Sequence, residues 1–278
     1  MGSAVEPRRK RIDLRKTLFL LPNMITLASI FCGFDSIRLS ASATSDDDYY
    51  KACLLLVYAL FFDMLDGRVA RLTKTQSAFG LQIDSLADVV SFGVAPALLV
   101  YKWSLYQRDT LGVFVCFCFA GAGAVRLARF NVLSMDESGR PQKPSKYIVG
   151  LPVPGAAGIL ISLIIANHTI SGPLSRATYV LPLMGLVVFL AFLMVSTIKF
   201  RSFKDLKWGG RTIALVFFAV GSSAVVSMQT KPAFVLVWLL SFYILIGLIE
   251  TTVQLMRPKR DAEAESAKPS RAPPPHVS

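Results

Sequence analysis

Four aspartates, Asp63, Asp66, Asp84 and Asp88, stand inside two segments that are otherwise apolar enough to lie in a membrane. One ionised carboxylate at the centre of a transmembrane helix costs roughly 2.5–3.5 kcal/mol on insertion scales, so four unpaired ones would threaten insertion itself. Any fold open to this chain has to neutralise them.

At 3.6 residues per turn, Asp63 and Asp66 share one helix face, and Asp84 and Asp88 share another. Gly67 and Ala70 lie on the first face, and Gly80 lies one turn before Asp84 on the second. These small residues predict a hollow beside the acids. The polar run Thr73 to Ser77 reads as a turn, with Asp66 six residues before Leu72 and Asp84 five after Phe79; Asp63 and Asp88 each lie nine away. In an antiparallel hairpin the carboxylates then meet about 8–14 Å below the turn, at ~1.5 Å per residue. Converging carboxylates of this kind suit hard divalent cations, Mg²⁺ or Mn²⁺, and two ions rather than one.

The pattern D-x2-D-G-x2-A-R-x8-G-x3-D-x3-D is filled by Asp63, Asp66, Gly67, Ala70, Arg71, Gly80, Asp84 and Asp88. On these residues the chain resembles the CDP-alcohol phosphatidyltransferases. Interhelical polar contacts, or the ion path of a transporter, would explain buried acids but give no reason for the glycines, Ala70 and Arg71 at those places. The resemblance implies that Gly67, Ala70, Arg71, Ser77 and Gly80 form a nucleotide and phosphate pocket. It extends to Pro22-Asn23-Met24-Ile25-Thr26, where Asn23 and Thr26 would join the CDP-diacylglycerol site at the depth of the aspartates. Arg71 suits phosphate oxygens through its bidentate fork, whereas Lys74 is read as a snorkelling anchor.

A narrower resemblance, to the phosphatidylserine synthase branch of that family, rests on Arg126-Leu-Ala-Arg-Phe-Asn131 and Gly150-Leu-Pro-Val-Pro-Gly-Ala-Ala157. It implies L-serine as acceptor. An amino-acid acceptor needs a cation for its carboxylate, and Arg126, Arg129 and Asn131 supply donors that a neutral alcohol would not need. Topology anchoring alone would also place two arginines at an inner helix end. Choline, inositol phosphate and glycerol phosphate stay open as other acceptors. The mechanism implied sets Asp63, Asp66 and Asp84 around one ion and Asp63, Asp84 and Asp88 around another. Asp88 is the general base that takes the proton of the attacking hydroxyl.

With 53% hydrophobic and only 17% charged residues, and a mean hydropathy of +0.52, 278 residues are too apolar for a soluble domain. The fold class expected is an all-α polytopic membrane protein, a bundle of about eight transmembrane helices around a cytoplasm-facing active-site cavity. Candidate spans cover 18–38, 49–71, 81–103, 111–131, 148–168, 178–198, 212–229 and 233–255. The third is weakened by Pro96 and two acids, the seventh by its Ser and Gly residues. Pro152 and Pro154 are expected to distort the entry of the fifth. One membrane domain, 18–256, is flanked by a basic segment, 1–17, and a disordered tail, 257–278. The basic segment is compatible with an interfacial helix and with a leader that only sets topology.

Lys and Arg fall overwhelmingly on alternate connections, among them Arg68, Arg71, Arg126 and Arg129, against few on the others, which also carry Asp46 to Asp48. The positive-inside rule then puts both termini and the aspartate hairpin in the cytoplasm, in the inner membrane. The net charge of +12 is spread over these connections, so it suits anionic lipid and the bilayer rather than a nucleic acid. Lys143 and Lys146 read as a solvated loop, and Glu250 as a snorkelling acid near the inner surface. Cys32, Cys53, Cys116 and Cys118 read as small core hydrophobes. His168 falls at an outer helix end and His276 in the tail, so neither is a base for this chemistry. The family resemblance also implies a homodimer.

Overall fold

The structure, a computed structural model, describes residues 14–73, 75, 77–134, 147–172, 174, 177–201, 235, 238–242 and 244–245. Residues 1–13 of the basic leader, Lys74, Lys143, Lys146, the seventh span, most of the eighth with Glu250, and the tail lie outside the described residues.

The six earlier spans are all helical. α1 (Leu14–Ala41) and α2 (Asp46–Leu72) form the first hairpin, and α3 (Ala78–Asp88) runs through a π turn (Val89–Val94) into α4 (Ala95–Trp103). A short 3₁₀ turn leads to α5 (Asp109–Leu133), followed by α6 (Val153–Thr169) and α7 (Val180–Val195). Among the described residues, Leu20–Ala41, Ala78–Trp103, Leu105–Leu133 and Ala177–Val195 are long and apolar enough to cross a membrane. α6 is apolar but only 17 residues long. α2 has the length, and its charges set it apart from those four.

Two local outcomes differ from expectation for identifiable reasons. Pro96 does not interrupt the third span: it sits immediately beyond the π turn, and the helix runs on through it to Trp103. Pro152 and Pro154 likewise start α6 rather than distort it, Pro152 as the residue before the helix and Pro154 within its first turn. The helix therefore begins at Val153. The residues just before it, expected as helix, form β1 (Tyr147–Val149), which pairs antiparallel with β2 (Lys199–Arg201).

α6 is apolar on every side, as a helix enclosed by others must be, and Val153, Ala156, Ala157, Leu160, Ile161 and Ile164 are all buried. The exposed apolar residues of α1, such as Phe31 and Phe34, are the surface a bilayer would cover. Between α1 and α2 the glue is polar, as expected where apolar contact brings no gain over lipid. Ser29 Oγ donates to the Ala59 carbonyl at 3.1 Å and Ser36 Oγ to the Ala52 carbonyl at 3.0 Å.

At one end of the bundle lie the start of α1, the end of α2, the start of α3 and the end of α5. Tyr49, donating to the Lys102 carbonyl, and His168, 2.8 Å from Asp47, tie together the opposite ends. His168 also stacks on Tyr50, with ring centroids 4.5 Å apart. The basic Arg68, Arg71, Arg126 and Arg129 thus share the end that holds the aspartates, and His168 is far from it.

Candidate active site

The hairpin turn is closed by its own hydroxyls. Thr73 Oγ1 donates to the Val69 carbonyl at 2.8 Å and lies 2.7 Å from Thr75 Oγ1. Ser77 caps α3, its Oγ accepting from Gly80 N–H at 2.9 Å. A hydroxyl both accepts and donates, so this cap leaves Ser77 a proton to offer.

The turn brings one carboxylate oxygen each from Asp63, Asp66 and Asp84 within 4.8 Å of one another. Asp88 joins them, pairing with Asp63 and lying within electrostatic reach of Asp84 and Arg126. Its Oδ1 is buried with no hydrogen-bond partner among the described residues. Carboxylates this close repel one another, and a buried carboxylate oxygen without a donor is costly. Both features fit a divalent cation, whose ligands are oxygens of this kind.

α1 supplies the wall. Thr26 Oγ1 donates to Asp66 Oδ2 at 2.6 Å and to the Pro22 carbonyl at 3.1 Å, so both Thr26 and Asp66 are buried. A methyl group built on Gly80 would lie 3.2 Å from Ser77 Oγ and 3.7 Å from Asn23 Oδ1, which places Asn23 against the start of α3. A methyl group on Gly67 would meet nothing within 4 Å. Gly67 thus has open space beside it among the described residues, while Gly80 answers to close approach. Ala70 is half-buried, and Arg71 stands exposed at the end of α2.

The three residues singled out on α5 part company. Arg126 is only 7% exposed although charged, and it lies within electrostatic reach of Asp88. Arg129 instead donates to the carbonyls of Val195 at 3.1 Å, Ser196 at 3.3 Å and Val149 at 3.4 Å. It ties the end of α7 and β1 to α5. Asn131 is buried, accepting from Ser85 Oγ at 3.0 Å and donating through Nδ2 to Gln82 Oε1 at 3.1 Å. Ser85 and Gln82 escape a motif reading. Their one signal is position, each on α3 beside Asp84.

A helical membrane protein with four convergent carboxylates on one hairpin, a buried arginine beside them and a capped turn at its mouth is the class defined by this geometry. The profile of the CDP-alcohol phosphatidyltransferases matches residues 19–193, and the chain belongs to that enzyme family. The match contains the hairpin, the α1 wall and the end of α5, and it sets the transporter reading aside.

Among its relatives is the CDP-diacylglycerol–serine O-phosphatidyltransferase of Helicobacter pylori strain J99, 37% identical over 84% of this chain and 91% of the relative. The protein of the same name from H. pylori strain 26695 is 36% identical over the same shares. The archaetidylserine synthase of Methanothermobacter thermautotrophicus is 38% identical over 52% of this chain and 58% of its own length.

Proposed function

We propose that this protein transfers the phosphatidyl group of CDP-diacylglycerol to the hydroxyl of L-serine, releasing CMP and forming phosphatidylserine. The observation that carries the choice of serine is Arg126, a buried guanidinium beside Asp88. A buried guanidinium at that place suits the carboxylate of an amino-acid acceptor next to the reacting hydroxyl, whereas choline would bring a second cation to it. The names of the relatives from H. pylori support the same acceptor.

In this reading Asp63, Asp66 and Asp84 would hold one divalent ion, and Asp63, Asp84 and Asp88 a second. Mg²⁺ or Mn²⁺ bound there would supply Lewis-acid polarisation of the pyrophosphate and charge neutralisation for departing CMP. The chain does the rest. Asn23, Thr26, Gly67, Ala70, Arg71, Ser77 and Gly80 form the nucleotide and phosphate pocket, Gly67 by leaving room and Arg71 and Ser77 by donating to phosphate oxygens.

Arg126 holds the serine carboxylate, and the hydroxyl is thereby brought to Asp88. Asp88 accepts the hydroxyl proton as the oxygen bonds to the β-phosphorus and the bond from that phosphorus to the CMP oxygen breaks. Because an ion-bound carboxylate is a weak base, its effect comes from position and from excluded water. Asn131 and Arg129 act one step back, Asn131 by fixing α3 to α5 and Arg129 by holding the frame around them. The active end faces the cytoplasm, following the basic residues gathered there, and the enzyme works as a homodimer in the bilayer.

CMP release by the purified protein in detergent tests this, with CDP-diacylglycerol, Mn²⁺ or Mg²⁺, and serine, inositol phosphate, glycerol phosphate or choline in parallel. Serine-dependent release is the expected result. Release with another alcohol alone would keep the hairpin chemistry and discard serine.

A further inference from the structure

One stripe of α1 touches both halves of the carboxylate hairpin. Thr26 bonds Asp66, and three residues further on Ser29 reaches two elements at once. Its hydroxyl donates to the Ala59 carbonyl at 3.1 Å, and its own carbonyl accepts from Ser91 Oγ at 3.0 Å. Ala59 is four residues before Asp63, so its carbonyl is the one that receives the Asp63 amide in an α-helix. Ser91 is three residues after Asp88, inside the π turn.

Both serines are buried, at 1% and 0% exposure. Gly33, the next turn of the same stripe, leaves no slack: a methyl group there would lie 2.6 Å from Ser91 Oγ and 2.8 Å from Ser91 Cα. π turns are rare insertions concentrated at functional sites, and this one begins directly after Asp88.

We propose that Ser29 and Ser91 are positioning residues whose linked hydrogen bonds set the spacing between the Asp63 turn of α2 and the Asp88 turn of α3. That spacing fixes how well the carboxylates embrace a divalent cation. The inference rests on the ion-binding reading above and is independent of the acceptor. Neither serine touches substrate; each acts through the backbone that carries an aspartate. Ser36 makes the same kind of bond, to the Ala52 carbonyl, but far from the site, and so serves as an internal control.

The test is an Mn²⁺ titration of the purified full-length protein followed by electron paramagnetic resonance, without lipid substrate, beside a thermal melt of each variant. Ser91→Ala and Ser29→Ala should each weaken Mn²⁺ binding about tenfold, the lower end of the effect of residues that orient metal ligands. The double variant should lose little more, because the two bonds form one chain. Ser36→Ala should move the melting temperature and leave Mn²⁺ affinity unchanged.

Unchanged affinity in Ser91→Ala and Ser29→Ala, as in Ser36→Ala, would overturn the positioning role. Absence of Mn²⁺ binding by the unaltered protein would overturn the ion-binding reading and this inference with it. If Ser91→Ala does not fold, Ser29→Ala, which keeps the Ser91 bond to the main chain, carries the comparison, with Gly33→Ala as the steric counterpart.

Discussion

Asp88 and Arg126 bear most of the chemical weight proposed for single side chains. Asp88→Asn keeps shape but removes the base, so CMP release should fall by about 10²–10⁴-fold while the protein remains folded, as a melt alongside the assay would establish. Arg126→Gln should raise the KM for serine by about tenfold or more, the loss of a charge-assisted hydrogen bond, with the KM for CDP-diacylglycerol nearly unchanged. Arg129→Gln should do the opposite. Its guanidinium is committed to three backbone carbonyls, so the expected result is a lower melting temperature with an unaltered serine KM. A serine KM raised equally by both substitutions would contradict the division of roles between them. Sequence alone places both arginines one turn apart at a helix end, and nothing in R-L-A-R-F-N tells them apart. What separates them is the end of α7, some 66 residues away along the chain, which arrives only in the folded structure.

Helices and turns show where local sequence is enough and where it fails. The hairpin is legible because its determinants are local: two acids per face, a polar turn and two glycines within one short stretch. The π turn after Asp88 and the β1–β2 ribbon are not, since each is decided by what packs against it. Gly150 illustrates this. It has a φ of +79°, and a methyl group there would overlap the Met194 carbonyl oxygen at the end of α7. The left-handed backbone alone costs a non-glycine residue about 1–2 kcal/mol, so Gly150→Ala should lower the melting temperature by several degrees. At the far end, the start of α2 is tied down by Asp48, whose carboxylate accepts from Thr44 N–H at 3.1 Å, Ser45 Oγ at 2.9 Å and Ser45 N–H at 3.2 Å. The Thr44 amide first, and the Ser45 hydroxyl next, hold its pKa below the usual 3.8. A depressed carboxylate pKa contributes stability above the unfolded value, and that contribution is lost as pH falls through the folded one. Asp48→Asn should therefore melt below the unaltered protein at pH 6 and converge with it below about pH 4. A gap that persists at low pH would mean that Asp48 acts by shape rather than charge.

Across the whole molecule, the polar cross-links and the carboxylates divide the bundle into two kinds of interior. Around α6 the packing is apolar and self-sufficient, with no charge to compensate among Val153, Ala156, Leu160 and Ile164. At the basic end, α1, α2, α3 and α5 meet around the acids, and among the described residues Arg126 lies within electrostatic reach of Asp88. Carboxylates gathered this closely repel one another, and a cation bound among them relieves that repulsion, so ion binding and stability should be linked. A ligand that binds only the folded state at 100 times its dissociation constant adds about 2.7 kcal/mol. Stripping the purified protein with EDTA should accordingly lower its melting temperature. Restoring Mg²⁺ or Mn²⁺ should raise it again in a concentration-dependent way, without lipid or acceptor present. Asp84→Asn should abolish most of that ion-dependent rise while melting close to the stripped protein, because the substitution removes a ligand and relieves repulsion together. A melting temperature indifferent to divalent ions would show that the four carboxylates are balanced from within the chain, and would remove the basis for placing ions among them.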